Sequence, residues 1–181
     1  MAADPFRILV ICTANVCRSP MAEALVRIAA ADLDAEVEVS SAGFLTTDEE
    51  ATPVVVEVMG ERGVDISAHR SRTVTAEMID AADLVLAMER RHVRDLALLT
   101  EGATARIDTL GGMVDRLQSA HGDTPAARVA AATAPRQAGD MLGNGVDEID
   151  DPFGKSKKVN RETADRLTQL SDALVASLFA P

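Results

Sequence analysis

Apolar residues along the chain recur at two different periods, and the alternation between them predicts the elements. Arg7 to Cys12, "RILVIC", is a short β-branched run. A polar loop follows, then "PMAEALVRIAAADL", where Leu25, Ile28 and Ala29 recur at helical spacing. Ser19 suits the cap of that helix and Pro20 its first position, where a missing N–H costs nothing. "EVEVSSAG" alternates as a second strand that stops at Gly43, and "TPVVVEVMGERG" predicts a helix ending at Gly60 or Gly63. "ADLVLAM" reads as a buried third strand with the helix "ERRHVRDLALL" after it. Leu167, Leu170, Leu174 and Leu178 mark a closing amphipathic helix from Arg161 to Phe179. From about Thr100 to Gly145 helix formers mix with Gly, Pro and alanine runs, which predicts one or two helices with mobile ends. Strands alternating with helices predict an α/β fold: a three-layer α/β/α domain around a parallel sheet of about four strands, with a loop for an anion after the first strand.

Composition narrows this picture. The 181 residues, 47% of them hydrophobic, are enough for a single domain with a full core. Eighteen Lys and Arg against 29 Asp and Glu leave a net charge of −11, which argues against nucleic acid and anionic membrane surfaces as partners. An anionic ligand then needs a local positive site. No apolar run reaches membrane-spanning length, and the N-terminus lacks the basic start of a secretory signal, so a soluble cytoplasmic protein is expected. The 2 cysteines, Cys12 and Cys17, do not make a disulfide scaffold, and no Cys or His set has zinc spacing, so neither metal nor other cofactor is expected. With no Tyr and no Trp, an aromatic pocket wall has to come from a phenylalanine.

Both cysteines fall in the loop "CTANVCRS" between the first strand and its helix. In an open parallel sheet, ligands sit beyond the C-terminal strand ends, where the following helix points its free N–H groups. Backbone amides there can cradle a phosphate while Arg18 grips two of its oxygens with a planar fork. Cys12 then lies beneath the anion, where amides, helix dipole and guanidinium favour a thiolate able to attack phosphorus. The displacement needs an acid for the leaving oxygen. "DEIDDPFG" offers Asp151, held extended by Pro152 and crowded by Asp147, Glu148 and Asp150, like charges that favour its protonated form.

Four ordered motifs now stand out: Cys-x5-Arg-Ser-Pro from Cys12 to Pro20, "SAG" at Ser41 to Gly43, "ADLVLAM" at Ala82 to Met88 and "DPFG" at Asp151 to Gly154. In this order they resemble the low-molecular-weight protein-tyrosine phosphatase family across nearly the whole chain. The resemblance implies a phosphorylated protein as substrate and phosphate or other oxyanions as competitive ligands. Cys12 would be the nucleophile forming a phosphocysteine, Arg18 the phosphate clamp, and Asp151 first general acid and then general base. It also implies that Ser19 donates to the thiolate and that Asn15, Ser41 and His69 hold the loop, whose remaining residues are Thr13, Ala14, Val16 and Cys17. Cys17 matches a position able to trap an oxidised nucleophile as a disulfide. Phe44, Leu45 and Phe153 are the candidates for an apolar substrate wall.

Ala14 stands where the family carries Gly, and the segment from Gly102 to Gly145 is longer than the family calls for. "DPFG", "CTxN" and "ATP" at Ala51 to Pro53 resemble the bacterial protein-arginine phosphatase branch, but that branch carries Thr where this chain has Val16. Phosphotyrosine is therefore the first substrate expected and phosphoarginine the alternative. An arsenate reductase with the same loop would pass oxidation to further cysteines, and none follows Cys17. A silent phospho-binding module would not need Cys12, Arg18 and Asp151 together.

Overall fold

The computed structural model describes residues 4–45, 47–100, 102–137, 140 and 145–180. Four parallel strands, β1 (Phe6–Cys12), β2 (Val37–Gly43), β3 (Leu84–Ala87) and β4 (Ile107–Thr109), form one sheet in the order β2-β1-β3-β4. Side chains of β1 alternate between two cores. Ile8, Val10 and Cys12 join the larger one with residues of α1 (Arg18–Asp32), α2 (Pro53–Gly60), α5 (Leu110–Leu117), α6 (Pro125–Thr133) and α7 (Lys157–Phe179). Leu9 and Ile11 join the smaller one, under α3 (Ala76–Ala81) and α4 (Arg90–Leu99). The sheet is thus covered on both faces, as its uninterrupted apolar strands require, giving the three-layer α/β/α arrangement. Phe6 and Phe179 meet edge to face with ring centroids 5.9 Å apart, tying the start of β1 to the end of α7.

After β1 the chain passes to β2 on one side, while β3 lies on the other. The C-terminal ends of β1 and β3 therefore flank the point where strand order reverses, which is where open α/β sheets bind ligands.

Several expectations need adjustment. Helix α1 begins at Arg18 with Cys17 in the cap position and no side-chain cap bond; Ser19 is already helical because its hydroxyl is engaged by Cys12 and Asn15 instead. Helix α7 starts at Lys157, earlier than Arg161, because Ser156 caps it by accepting from the Val159 amide. Helix α3, capped by Thr75, is too short to show a period. The undecided segment contains α5 and α6, but also a 3-10 turn at Ala103–Arg106 and the strand β4. Strand β4 hides from a hydropathy reading because its middle residue is Asp108, fully buried and paired with Arg90, Arg116 and Arg136. The mobile ends expected for this segment fall partly at residue 101 and at 138–139 and 141–144, outside the described residues.

Candidate active site

The loop after β1 turns back over itself at Asn15, whose φ of 56° lies in the left-handed region that Asn tolerates better than most residues. Ala14 is not among the residues with positive φ, so the family's usual glycine is not needed there for backbone freedom. Asn15 is completely buried, and its side chain is saturated. Its Nδ2 donates to Ser19 Oγ and Ser41 Oγ, both at 2.8 Å, and its Oδ1 accepts from the Arg72 amide at 2.9 Å. The Asn15 carbonyl oxygen lies 2.7 Å from His69 Nε2. Ser41 passes its own hydrogen to Glu23. Gly43 faces the loop so closely that a Cβ would stand 2.8 Å from the Asn15 nitrogen and 2.9 Å from the Thr13 oxygen, which explains the glycine of "SAG".

Inside this frame Cys12 Sγ accepts from the Asn15 amide at 3.2 Å and lies 3.0 Å from Ser19 Oγ. Among the described residues nothing accepts from the amides of Ala14, Val16 or Cys17, which leaves them as donors at the helix N-terminus. Arg18 is 1% exposed. Its Nη1 is anchored by Glu89 Oε1 at 2.6 Å and the Ile149 carbonyl at 2.8 Å. Its Nη2 reaches Thr13 Oγ1 at 3.3 Å and Asp151 Oδ2 at 2.9 Å, and its buried Nε has no partner among the described residues. Cys12, Thr13, Ala14, Val16, Cys17, Arg18, Leu45, Asp151 and Phe153 line a cleft of about 180 Å³.

All the residues named from the loop, with Ser41, His69, Asp151, Leu45 and Phe153, are brought to this cleft or its support. Phe44 is the exception. It turns beneath the loop and stacks on His92 at a centroid distance of 5.6 Å, because its amide is tied to the Thr13 carbonyl at 2.8 Å and the side chain follows into the second core. The acidic crowding expected around Asp151 is also absent in the form foreseen. Asp147 is bound by Arg90 and Thr109, Glu148 accepts from the Arg90 amide, and the charge facing Asp151 is Arg18.

Four further supports were missed by reading the sequence: Glu23, Arg72, Glu89 and His92. Arg72 donates from its guanidinium to the Ser41 carbonyl at 2.9 Å. Burial works against the charge of Glu89, but hydrogen bonds from Arg91 and Arg18 outweigh it and hold the carboxyl near 2. Thr13 Oγ1 accepts from both Arg18 and Arg91, so its hydrogen goes to His92 Nε2 at 3.0 Å and the ring is a neutral acceptor. Burial keeps it so, pushing the His92 pKa down to about 4. Burial likewise pushes the Cys17 thiol up to about 11, opposed in part by a 3.4 Å hydrogen bond with Thr52. Glu89 and His92 lie just past β3, so the strand-end rule applied to "LAMERRH" would have found them.

Among the described residues no group of three or more His, Cys, Asp and Glu converges as metal ligands would. A larger cleft, about 540 Å³, lies behind the loop against Glu23, Arg27, His69 and Arg72, but neither cysteine is among its described lining residues. Its Arg27 and Arg72 are engaged by the carbonyls of Val39 and Ser41. No described helix is long and apolar enough to cross a membrane.

Residues 7–127 match the family described as low molecular weight phosphotyrosine protein phosphatase. The chain belongs to this family. It is 33% identical over 172 residues to the protein-arginine-phosphatase of Bacillus subtilis, covering 94% of this chain and 95% of that one. It is 40% identical over 107 residues to a probable low molecular weight protein-tyrosine-phosphatase of Ralstonia solanacearum, covering 59% of this chain and 71% of that one. The crystal structure of a low molecular weight protein tyrosine phosphatase from T. tengcongensis superposes with a TM-score of 0.74 at 31% identity, covering 96% of this chain and 99% of that one. The family thus embraces relatives of both substrate classes, and this member resembles each.

Proposed function

We propose that this phosphatase hydrolyses phosphotyrosine in proteins through a phosphocysteine at Cys12. The amides of Ala14, Val16 and Cys17, with the Nε and Nη2 edge of Arg18, receive the phosphoryl oxygens. Cys12 attacks phosphorus from below as a thiolate that the Asn15 amide and Ser19 hydroxyl stabilise. Asp151, 2.9 Å from Arg18 at the cleft mouth, protonates the departing oxygen and then takes a proton from the water that releases phosphate. The reaction needs no cofactor, and the free thiols of Cys12 and Cys17 suit a protein of the cytoplasm.

The observation that carries the substrate choice is the apolar lining. The Val16 side chain has no hydrogen-bonding atom, Leu45 and Phe153 flank the mouth, and Asp151 is the only carboxylate among the described lining residues. An aromatic ring fits such a wall, whereas a guanidinium leaves donors unsatisfied at about 1–3 kcal/mol each. The near full-length similarity to a protein-arginine-phosphatase favours the second reading, phosphoarginine. Parallel measurement of kcat/KM on phosphotyrosine and phosphoarginine peptides decides between them. Phosphotyrosine preferred is the expected result, with Val16→Thr shifting the ratio toward phosphoarginine. A wild-type preference of about tenfold for phosphoarginine, the equivalent of ~1.4 kcal/mol, overturns the choice.

Cys17 has a secondary part in this reading as the partner that captures oxidised Cys12. Its raised pKa keeps it a thiol at neutral pH, so capture is slow unless the loop opens.

A further inference from the structure

The segment that carries Asp151 is exposed at its tip, yet its root is held unusually firmly. Arg90, the first residue of α4, is 7% exposed and grips the Asp147 carboxylate with both Nε, at 3.2 Å, and Nη2. Thr109 at the end of β4 donates to the same carboxylate. The Arg90 amide donates to Glu148 Oε1 at 2.7 Å. Next along the chain, the Ile149 amide donates to the Met88 carbonyl at 2.9 Å, and the Ile149 carbonyl accepts from Arg18 at 2.8 Å. Two residues later comes Asp151.

Arg90 is itself fixed from behind. Its Nη1 donates to Asp108 Oδ1 at 3.0 Å, and Asp108, wholly buried, also holds Arg116 and Arg136. The Asp147 root sits so close to α5 that a Cβ at Gly111 would stand 2.7 Å from the Asp147 carbonyl oxygen, and one at Gly112 would stand 2.6 Å from its carboxylate. Paired glycines inside a helix cost stability. Here they admit the segment. Burial alone would raise the Asp147 pKa, but the bonds from Thr109 and Arg90 outweigh it and keep the carboxylate charged.

We infer that Arg90 and Asp147 form a clasp that positions Asp151 over the phosphate loop. Both are positioning residues: neither lines the cleft, and both act through the two-residue link from Ile149 to Asp151. The inference rests on the reading of Asp151 as the general acid. A small displacement of the acid leaves nucleophile and phosphate clamp intact and weakens only proton delivery.

The test compares kcat/KM on phenyl phosphate, whose leaving group needs the proton, with p-nitrophenyl phosphate, whose leaving group needs it little. Asp147→Asn is expected to lose about tenfold on the first and less than about threefold on the second, with inhibition by inorganic phosphate unchanged within about twofold. In an Asp151→Asn background, Asp147→Asn should add less than about twofold on phenyl phosphate, because the acid it positions is gone. Equal losses on the two esters, or full additivity in the double variant, overturn the clasp. Should Asp147→Asn fail to fold, the exposed Glu148→Ala decides: a selective loss on phenyl phosphate supports the clasp and no selective loss overturns it. Asp151→Asn measured alone separates the two readings. If it shows the selective loss and the clasp variants do not, only the clasp fails; if its own losses are equal, the acid assignment fails and the clasp with it.

Discussion

The two sides of the cleft are built by different means. The side of the proposed nucleophile, Cys12 to Ser19, is contiguous in sequence and held by short bonds among small, fully buried polar groups centred on Asn15. The acid side, Asp147 to Phe153, is held by the Arg90 guanidinium of α4 and the Thr109 hydroxyl at the end of β4, and it ends at an Asp151 side chain that is 43% exposed. A neutral buried network cannot rearrange without stranding donors and acceptors, so it fixes the cradle. On the proposed reading, a tethered segment with an open tip lets a bulky protein substrate reach the loop while still delivering a proton. Arg18 joins the sides, since its guanidinium touches Thr13, Ile149 and Asp151 at once.

The contrast can be broken first at its centre. Cys12→Ser and Arg18→Ala should each lower kcat on an aryl phosphate by about a hundredfold or more, consistent with ~3 kcal/mol of transition-state stabilisation. Circular dichroism should report a folded chain in both. Residual activity above about a tenth of wild type would place the chemistry elsewhere.

A smaller effect should come from Asn15. Asn15→Ala removes three side-chain hydrogen bonds and keeps a positive φ, so the melting temperature should drop, with a stability loss of about 1–3 kcal/mol, along with kcat. Asn15→Gly relieves the backbone cost without restoring the bonds. If the glycine variant recovered wild-type activity, the cradle would owe its form to backbone freedom rather than to the network.

The smallest effect is one of pH. Burial holds the folded His92 pKa at about 4, below the usual imidazole value of 6.5, so in acid the unfolded chain takes up a proton that the folded chain does not. Its neutral burial costs nothing above pH 6.5 and destabilises progressively as pH falls from there toward 4. Glu89, held near 2, adds a loss of its own as pH falls below about 4.5. His92→Gln should flatten the fall in melting temperature between pH 6.5 and 4. An unchanged slope would show that the loop's charged neighbours, not His92, set the acid sensitivity.

What could be read directly from the residues follows the same division. Cys12, Arg18 and Ser19 are local, one loop and one helix turn apart, so their spacing carries their geometry. Strand β4 and the Arg90 clasp were illegible because each joins charged residues distant along the chain. Asp108 in a strand looks like a surface charge until three arginines are seen around it. Phe44 and Leu45 are adjacent in sequence, and nothing local says that one stacks under the loop while the other flanks its mouth.

The sequence by itself determined the α/β order of elements, the loop that follows the first strand and the side chains that crowd it, because hydrophobic period and motif spacing are short-range properties of the chain. Tertiary structure alone decided which carboxylates are spent on arginines and which one faces the cleft. Asp147, Glu148, Asp150 and Asp151 are chemically alike as a string of letters. Their partners, not their identities, distinguish them: Arg90 claims Asp147 and Glu148, and Arg18 claims Asp151. Such pairing depends on distances between elements that only the packed sheet and its helices bring within a few ångströms, where charge-assisted bonds become strong enough to choose.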